Sequence, residues 1–199
     1  MDRPVILASA SSARRDLLSR AGLTFQTVPA RIDEQAIRES LVEEGATPRD
    51  IADALAEFKA RRVSEKYPEA LVIGCDQVLD RKGRLLGKAG TPEEARTQLR
   101  SLRGQRHALF SAAVIYDFAK PVWRHVGRAQ LTMRPFSDEY LEEYLARNWE
   151  SARHSVGCYK LEEEGIRLFN RIDGEYFVVL ELPLLEILSH LTTTGLLKA

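Results

Sequence analysis

Apolar and polar positions change their period several times along this chain, and each change marks an element. "PVILA", Pro4 to Ala8, is a short unbroken apolar run of the kind a buried strand makes. A serine-rich turn follows. Leu17, Leu18 and Ala21 then share one face of a helix running from about Ser12 to Ala21, with Gly22 as its terminator. "LTFQTVP" alternates like a strand. The stretch "TPRDIADALAEFKARRVSEKY" opens with Thr47 as cap, Pro48 in the first turn and Asp50 at the third position. Its apolar residues Ile51, Ala54, Leu55, Phe58 and Val63 recur at helical spacing. "ALVIGCD" is a continuous apolar strand ending on a carboxylate, the pattern of a strand buried on both faces.

"QVLDRKGRLLGK" predicts a hairpin turning at Arg81-Lys82-Gly83, and "TPEEARTQLRSLRG" a helix with Thr91 and Glu94 as capping box and Gly104 past its end. Two long strands, "HALFSAAVIYD" and "VWRHVGRAQLTMR", join at "FAKP". A short helix capped by Ser137 follows. The last third reads as three strand-like segments, "SVGCYK", "IRLFNRI" and "EYFVVLEL", before an apolar helix "PLLEILSHL" and a loose tail "TTTGLLKA". Strands interleaved with helices, plus consecutive long strands, predict an α/β fold on a mixed sheet.

Composition narrows the classes of partner. The chain has 199 residues, 44% apolar and 29% charged, enough to bury a proper core. Lysine plus arginine equals aspartate plus glutamate at 29 each, so neither a nucleic-acid polymer nor an anionic membrane surface is expected as main partner. No apolar run approaches the roughly 20 residues of a membrane span, and "MDRPVILASASS" does not read as a secretory signal. Cys75 and Cys158 are too few for a disulfide framework. A reduced, cytoplasmic protein is expected.

The candidate chemistry begins at "LASASSARRDLLSRAG". Arg14 and Arg15 stand side by side at a helix start, where they repel each other unless something negative lies between them. Small serines allow close backbone approach, helix N–H groups donate, and arginine matches phosphate oxygens. A solvated surface pair is the equally weighted alternative. The glycine patterns of a Walker A loop and of a dinucleotide fingerprint are both missing. The second signal is Asp76, a carboxylate expected at the C-terminal end of a buried strand, where α/β sheets place ligands; an Asp capping a turn is the plain alternative. Glu34, Lys59 and Lys88 are uninformative singly. Together with the arginines they have the composition needed to bind a polyphosphate with Mg²⁺. His107, His125, His154 and His190 show no zinc-binding spacing.

These pieces resemble the Maf family, the septum-formation-inhibitor-like proteins. The matching residues are "LASASSARRDLL", Asp33-Glu34, "FKA" at Phe58 to Ala60, "IGCDQV" at Ile73 to Val78, Gly87-Lys88, "GCYKLEEEGIRLF" at Gly157 to Phe169 and "LPLL" at Leu182 to Leu185. The resemblance implies a single Maf-like domain over residues 1–199. It also implies a mixed, extended, twisted sheet flanked by helices, with an active-site cleft between two lobes. The implied reaction is hydrolysis of noncanonical or modified nucleoside triphosphates to the monophosphate and pyrophosphate, dependent on Mg²⁺ or Mn²⁺. Asp76 corresponds to the proton acceptor, and Glu34 with Asp76 to the metal-side carboxylates. Ser9, Ser11, Arg14, Arg15, Lys59, Gln77, Lys88 and Glu162 correspond to substrate-binding positions. Ala13, Gln77 and Glu162 fall where base preference is set, and Gln77 with Glu162 resembles the 7-methyl-GTP pyrophosphatase branch. An acidic side chain there would accept purine N–H donors and oppose the charge of a methylated ring. Ala13 stands where that branch carries a large aromatic, and Glu181 where a glycine precedes Leu-Pro. The substrate partner is thus a nucleoside triphosphate, with a homodimer as an open assembly state. A non-catalytic nucleotide-binding regulator of cell division is the alternative from another class.

Overall fold

The computed structural model describes residues 3–198. Met1 and Asp2, at the start of the stretch that does not read as a signal, and Ala199, from the expected loose tail, lie outside them. The apolar runs assemble into one seven-stranded sheet. β1 (Val5–Leu7) pairs in parallel with β2 (Gln26–Thr27) on one side and with the start of β3 (Leu71–Arg81) on the other. Parallel neighbours need a long crossover. Here it carries α1 (Ser12–Arg20), α2 (Glu34–Glu43) and α3 (Pro48–Ser64). The remaining pairings are antiparallel: β3 with β4 (Arg84–Leu86) and with β5 (Arg106–Asp117), then β5 with β6 (Lys120–Met133), and β6 with β7 (Phe169–Asp173). The β5–β6 hairpin turns on Phe118 and Ala119, both at positive φ, the backbone shape that matches strand twist in a two-residue turn.

The first half follows the sequence pattern closely, with two instructive differences. The expected strand ending at Asp76 and the first arm of the expected hairpin are one continuous strand, so Asp76 lies mid-strand and not at a C-terminal end. Its surroundings are set by the neighbouring strands. One edge of β3 pairs with β5 from Val72 to Asp80. The other edge pairs with β1 only at Leu71–Ile73 and with β4 only at Leu79–Arg81. Between them, from Gly74 to Val78, that edge has no strand partner, and Asp76 and Gln77 sit in the gap.

The second difference is on α3. Its buried face is Ile51, Ala52, Leu55, Ala56, Lys59, Ala60 and Val63, whereas Phe58, expected on the apolar stripe, is 42% exposed. A lysine replaces an aromatic in the core-facing row because α3 packs onto the open part of β3. Gly74 makes that approach tight: a Cβ there would lie 2.3 Å from the Ala56 carbonyl oxygen and 2.7 Å from the Ala60 Cβ.

The last third departs most from the expected strands. "SVGCYK" forms a 3₁₀ turn at Val156–Cys158, and the first part of "IRLFNRI" belongs to a second such turn at Glu164–Leu168 before β7 begins. "EYFVVLEL" contains the one-turn helix α6, counting α4 (Pro92–Leu102) and α5 (Asp138–Ala152) before it; α6 spans Tyr176–Val179. Short apolar runs fit buried turns as well as strands, and here Glu175 decides by accepting from the Phe177 and Val178 N–H groups as a helix cap. α7 (Leu184–Thr193) is the apolar helix expected. The tail is tied down further than expected: the Leu196 and Leu197 N–H groups donate to the Leu191 carbonyl, and Leu197 packs on a core. Likewise Thr91 caps α4, but Glu94 reaches back to the Gly90 N–H and not to that of Thr91.

Candidate active site

Asp76 lies at the centre of the gap, 4% exposed. Its Oδ1 accepts from Lys59 Nζ at 2.7 Å, and Lys59 also meets Glu34 Oε2 at 3.0 Å. Alternation along β3 points Asp76 at the α3 layer, and the tight Gly74 contact brings Lys59 within reach. Asp33 caps α2, which sets Glu34 in the first turn facing Lys59. Burial pushes the Glu34 carboxyl up, but Lys59, Arg14 and Lys88 outweigh it and hold it below the ordinary carboxylate value. Lys88, exposed in the loop after β4, therefore belongs to the same electrostatic centre. Asp76 Oδ2 is buried and has no hydrogen-bond partner. A buried carboxylate oxygen with free lone pairs is an unmet acceptor, the atom a water or a cation would engage.

The serine loop fills the end of the gap where β1 stops. Ser9 Oγ accepts from the Ser11 N–H, and Ser11 Oγ caps α1 at the Arg14 N–H. The adjacent arginines then part company. Arg14 turns inward, donating Nε to the Glu181 carbonyl and Nη1 to Ser9 Oγ and to the Cys75 carbonyl. That carbonyl lies in the unpartnered stretch of β3, so the arginine takes the place of a missing strand. Burial works against the Arg14 charge, but the carboxylates of Glu181, Asp76 and Glu34 more than compensate and raise its pKa. Arg15 is exposed and pairs with Asp16. Each arginine therefore has a carboxylate of its own.

Glu181 is the residue whose importance the sequence concealed. Its Oε2 accepts from Ser11 Oγ at 3.0 Å and lies 3.8 Å from Arg14 Nε. Its φ of 74° is in the left-handed region, which explains why a glycine suits this position: glycine adopts it at no steric cost. The turn before Leu182-Pro183 is therefore the one a glycine would make, with a carboxylate added.

On the opposite face of β3, Gln77 Nε2 donates to Ser111 Oγ and to the carbonyls of Val178 and Val179, fixing α6 to the sheet. Ser111 is directly across from Gln77 on β5 and also donates to Val178. No spacing in the sequence linked these groups. Ala13, Gln77 and Glu162, the three positions tied to base preference, line one recess together with Tyr159, Lys160 and Glu181. Glu162 is exposed there. Tyr159, buried in the recess wall, hydrogen-bonds His107 Nε2 at 2.8 Å. Cys75 is a thiol pushed by burial up to about 11, so it is no nucleophile at neutral pH.

The donor set also bears on a metal. Among the described residues no cluster of three or more His, Cys, Asp or Glu side chains could hold an ion. Asp76 and Glu34 supply two hard oxygen donors on one cation, Lys59, and Asp76 Oδ2 is unsatisfied. That fits Mg²⁺ or Mn²⁺, which take one or two carboxylates and complete their shell with phosphate oxygens and water.

Comparison with known proteins places these features in context. The family model described as Maf-like protein matches residues 4–194. A nucleoside triphosphate pyrophosphatase of Roseobacter denitrificans is 59% identical over 195 residues, 98% of each chain. One of Caulobacter vibrioides is 52% identical over 194 residues, covering 98% of this chain and 97% of the relative. A 7-methyl-GTP pyrophosphatase of Rhizobium meliloti is 48% identical over 195 residues, 98% of each.

Proposed function

The chain belongs to the Maf family, and from that premise we propose that it hydrolyses nucleoside triphosphates to the monophosphate and pyrophosphate, with Asp76 as general base. The observation that carries this reading is the unpartnered Oδ2 of Asp76 beside an Oδ1 held by Lys59. One oxygen is locked and the other has no partner, so the carboxylate can orient a water without rotating. That water bonds the α-phosphorus as the bond from the α-phosphorus to the bridging oxygen breaks. Its proton passes to Asp76, and pyrophosphate leaves with the bond electrons. Base catalysis of this kind contributes about 10²–10⁴-fold.

The other residues position and neutralise. Lys59 holds Asp76 in register. Lys88 and Arg15, both exposed, are free to swing onto phosphate oxygens, and an arginine offers them a forked donor pair. Arg14, held through Nε and Nη1 by main-chain and side-chain acceptors, shapes the serine loop of Ser9 and Ser11 and adds fixed positive charge. A divalent cation held by Glu34 and Asp76 with the phosphate oxygens would supply charge neutralisation at the reacting phosphate. The recess of Ala13, Gln77 and Glu162 receives the base. Gln77 acts there through the backbone it fixes, while the free carboxylate of Glu162 faces the N–H donors or positive charge of a modified purine.

A panel of nucleoside triphosphates, 7-methyl-GTP included, incubated with and without EDTA tests the reading. Pyrophosphate release that EDTA abolishes is expected. Binding of triphosphates without release would instead support a regulator.

A further inference from the structure

The centre around Asp76 has a cation that neither its hydrogen bonds nor its ion pairs account for. Arg38 lies one helical turn beyond Glu34 on α2, on the same face. It is half-buried, and its Nε is covered and has no hydrogen-bond partner. Its Nη1 lies 3.4 Å from the place a Gly87 Cβ would occupy, so the guanidinium rests against the backbone just before Lys88. No carboxylate among the described residues stands within ion-pair distance of it. A guanidinium brought beside other cations and denied an acid is a group waiting for an anion.

We infer that Arg38 is a further substrate-contact residue, receiving the terminal phosphate of the triphosphate and so setting the preference for triphosphates over shorter chains. This rests on the assignment of Asp76 to the attacked phosphate. Arg38 follows Glu34 by four residues on α2 and rests against Gly87, the residue before Lys88, so it lies on the Lys88 side of the centre. A polyphosphate that starts at Asp76 and runs past Lys59 and Lys88 would bring its far end to Arg38. The last group it presents is the end that departs as pyrophosphate.

The rival account is that the Arg38 stem merely covers α2 and its charge is idle. Arg38→Met keeps the stem and removes the charge, and Arg38→Lys keeps a charge without the fork. Four quantities are read: kcat/KM for a triphosphate and for the diphosphate of the same nucleoside, and inhibition by inorganic pyrophosphate and by the monophosphate. Arg38→Met is expected to lower the triphosphate-to-diphosphate preference about 10-fold or more, mainly through KM, and to weaken pyrophosphate inhibition in parallel. Monophosphate inhibition should be unchanged, and Arg38→Lys should fall between. An unchanged preference together with unchanged pyrophosphate inhibition overturns the inference while leaving Asp76 in place. If the unmodified protein releases no pyrophosphate from any triphosphate, the assignment of Asp76 fails first and this inference with it.

Discussion

Asp76 and Gln77 are consecutive on β3, yet they face opposite sides of the sheet and build opposite kinds of site. Toward α3, Asp76 joins Lys59 and Glu34 in a chain of charges with one acceptor unmet. Toward α6, Gln77 joins Ser111 and two carbonyls in a neutral network whose donors are all used. The charged side can exchange partners, because a polyanion and a cation can replace what its own residues now give one another. The neutral side cannot exchange without leaving buried groups unpaired, so it holds a shape. On the proposed function, reaction and recognition are thereby separated by one residue.

Breaking the charged side should cost most. Asp76→Asn keeps an oxygen for Lys59 but removes the base, and pyrophosphate release should fall about 10²–10⁴-fold with thermal unfolding little changed. Lys59→Met strands Asp76 as a buried charge without its partner. The expected loss is about 3–5 kcal/mol in urea denaturation, together with most of the turnover. On the neutral side, Gln77→Leu leaves the Val179 carbonyl without its donor, for about 1–3 kcal/mol. Its kinetic signature should be a raised KM with kcat held, which distinguishes a lost recess from a lost base. Gly74→Ala tests the packing that joins the two: about 1–3 kcal/mol from overpacking, with turnover falling as Lys59 is pushed from Asp76.

Acid separates the two sides by window. His107, on the neutral face and buried against Tyr159, has its pKa lowered by burial to about 4 from an ordinary 6.5. Between those values the unfolded chain binds the proton and the folded one does not. Stability should therefore fall as pH drops from 6.5 to 4, by up to about 3 kcal/mol. His107→Gln should flatten that slope. Glu34 is held below its ordinary value of 4.5, so its contribution is full above 4.5 and is lost only as pH falls below that. Glu34→Gln should leave the upper window intact. Chemical denaturation at a series of pH values reads both.

Much of the machinery is legible in the sequence. The serine loop, the α1 start, the caps at Thr47, Thr91 and Ser137, the β5–β6 hairpin and Asp76 as a candidate depend on local chemistry that a linear pattern records, whereas Lys59 and Glu34 became candidates only as members of a set. The last third is less legible, because short apolar runs such as "SVGCYK" and "EYFVVLEL" have no period long enough to separate strand from turn.

By itself, then, the sequence determined which residues could do chemistry and where the strong helices begin, since caps, glycines and apolar periods act within a few residues of one another. Only the tertiary structure decided where that chemistry is exposed. Asp76 lies beside an unpaired strand edge because β1 ends and β4 begins too late to cover it, Arg14 is internal because the Cys75 carbonyl had no strand to pair with, and Lys59 is buried in place of Phe58 because Gly74 admits α3. Each of these is a long-range contact, made between residues whose separation along the chain leaves no periodic trace in it.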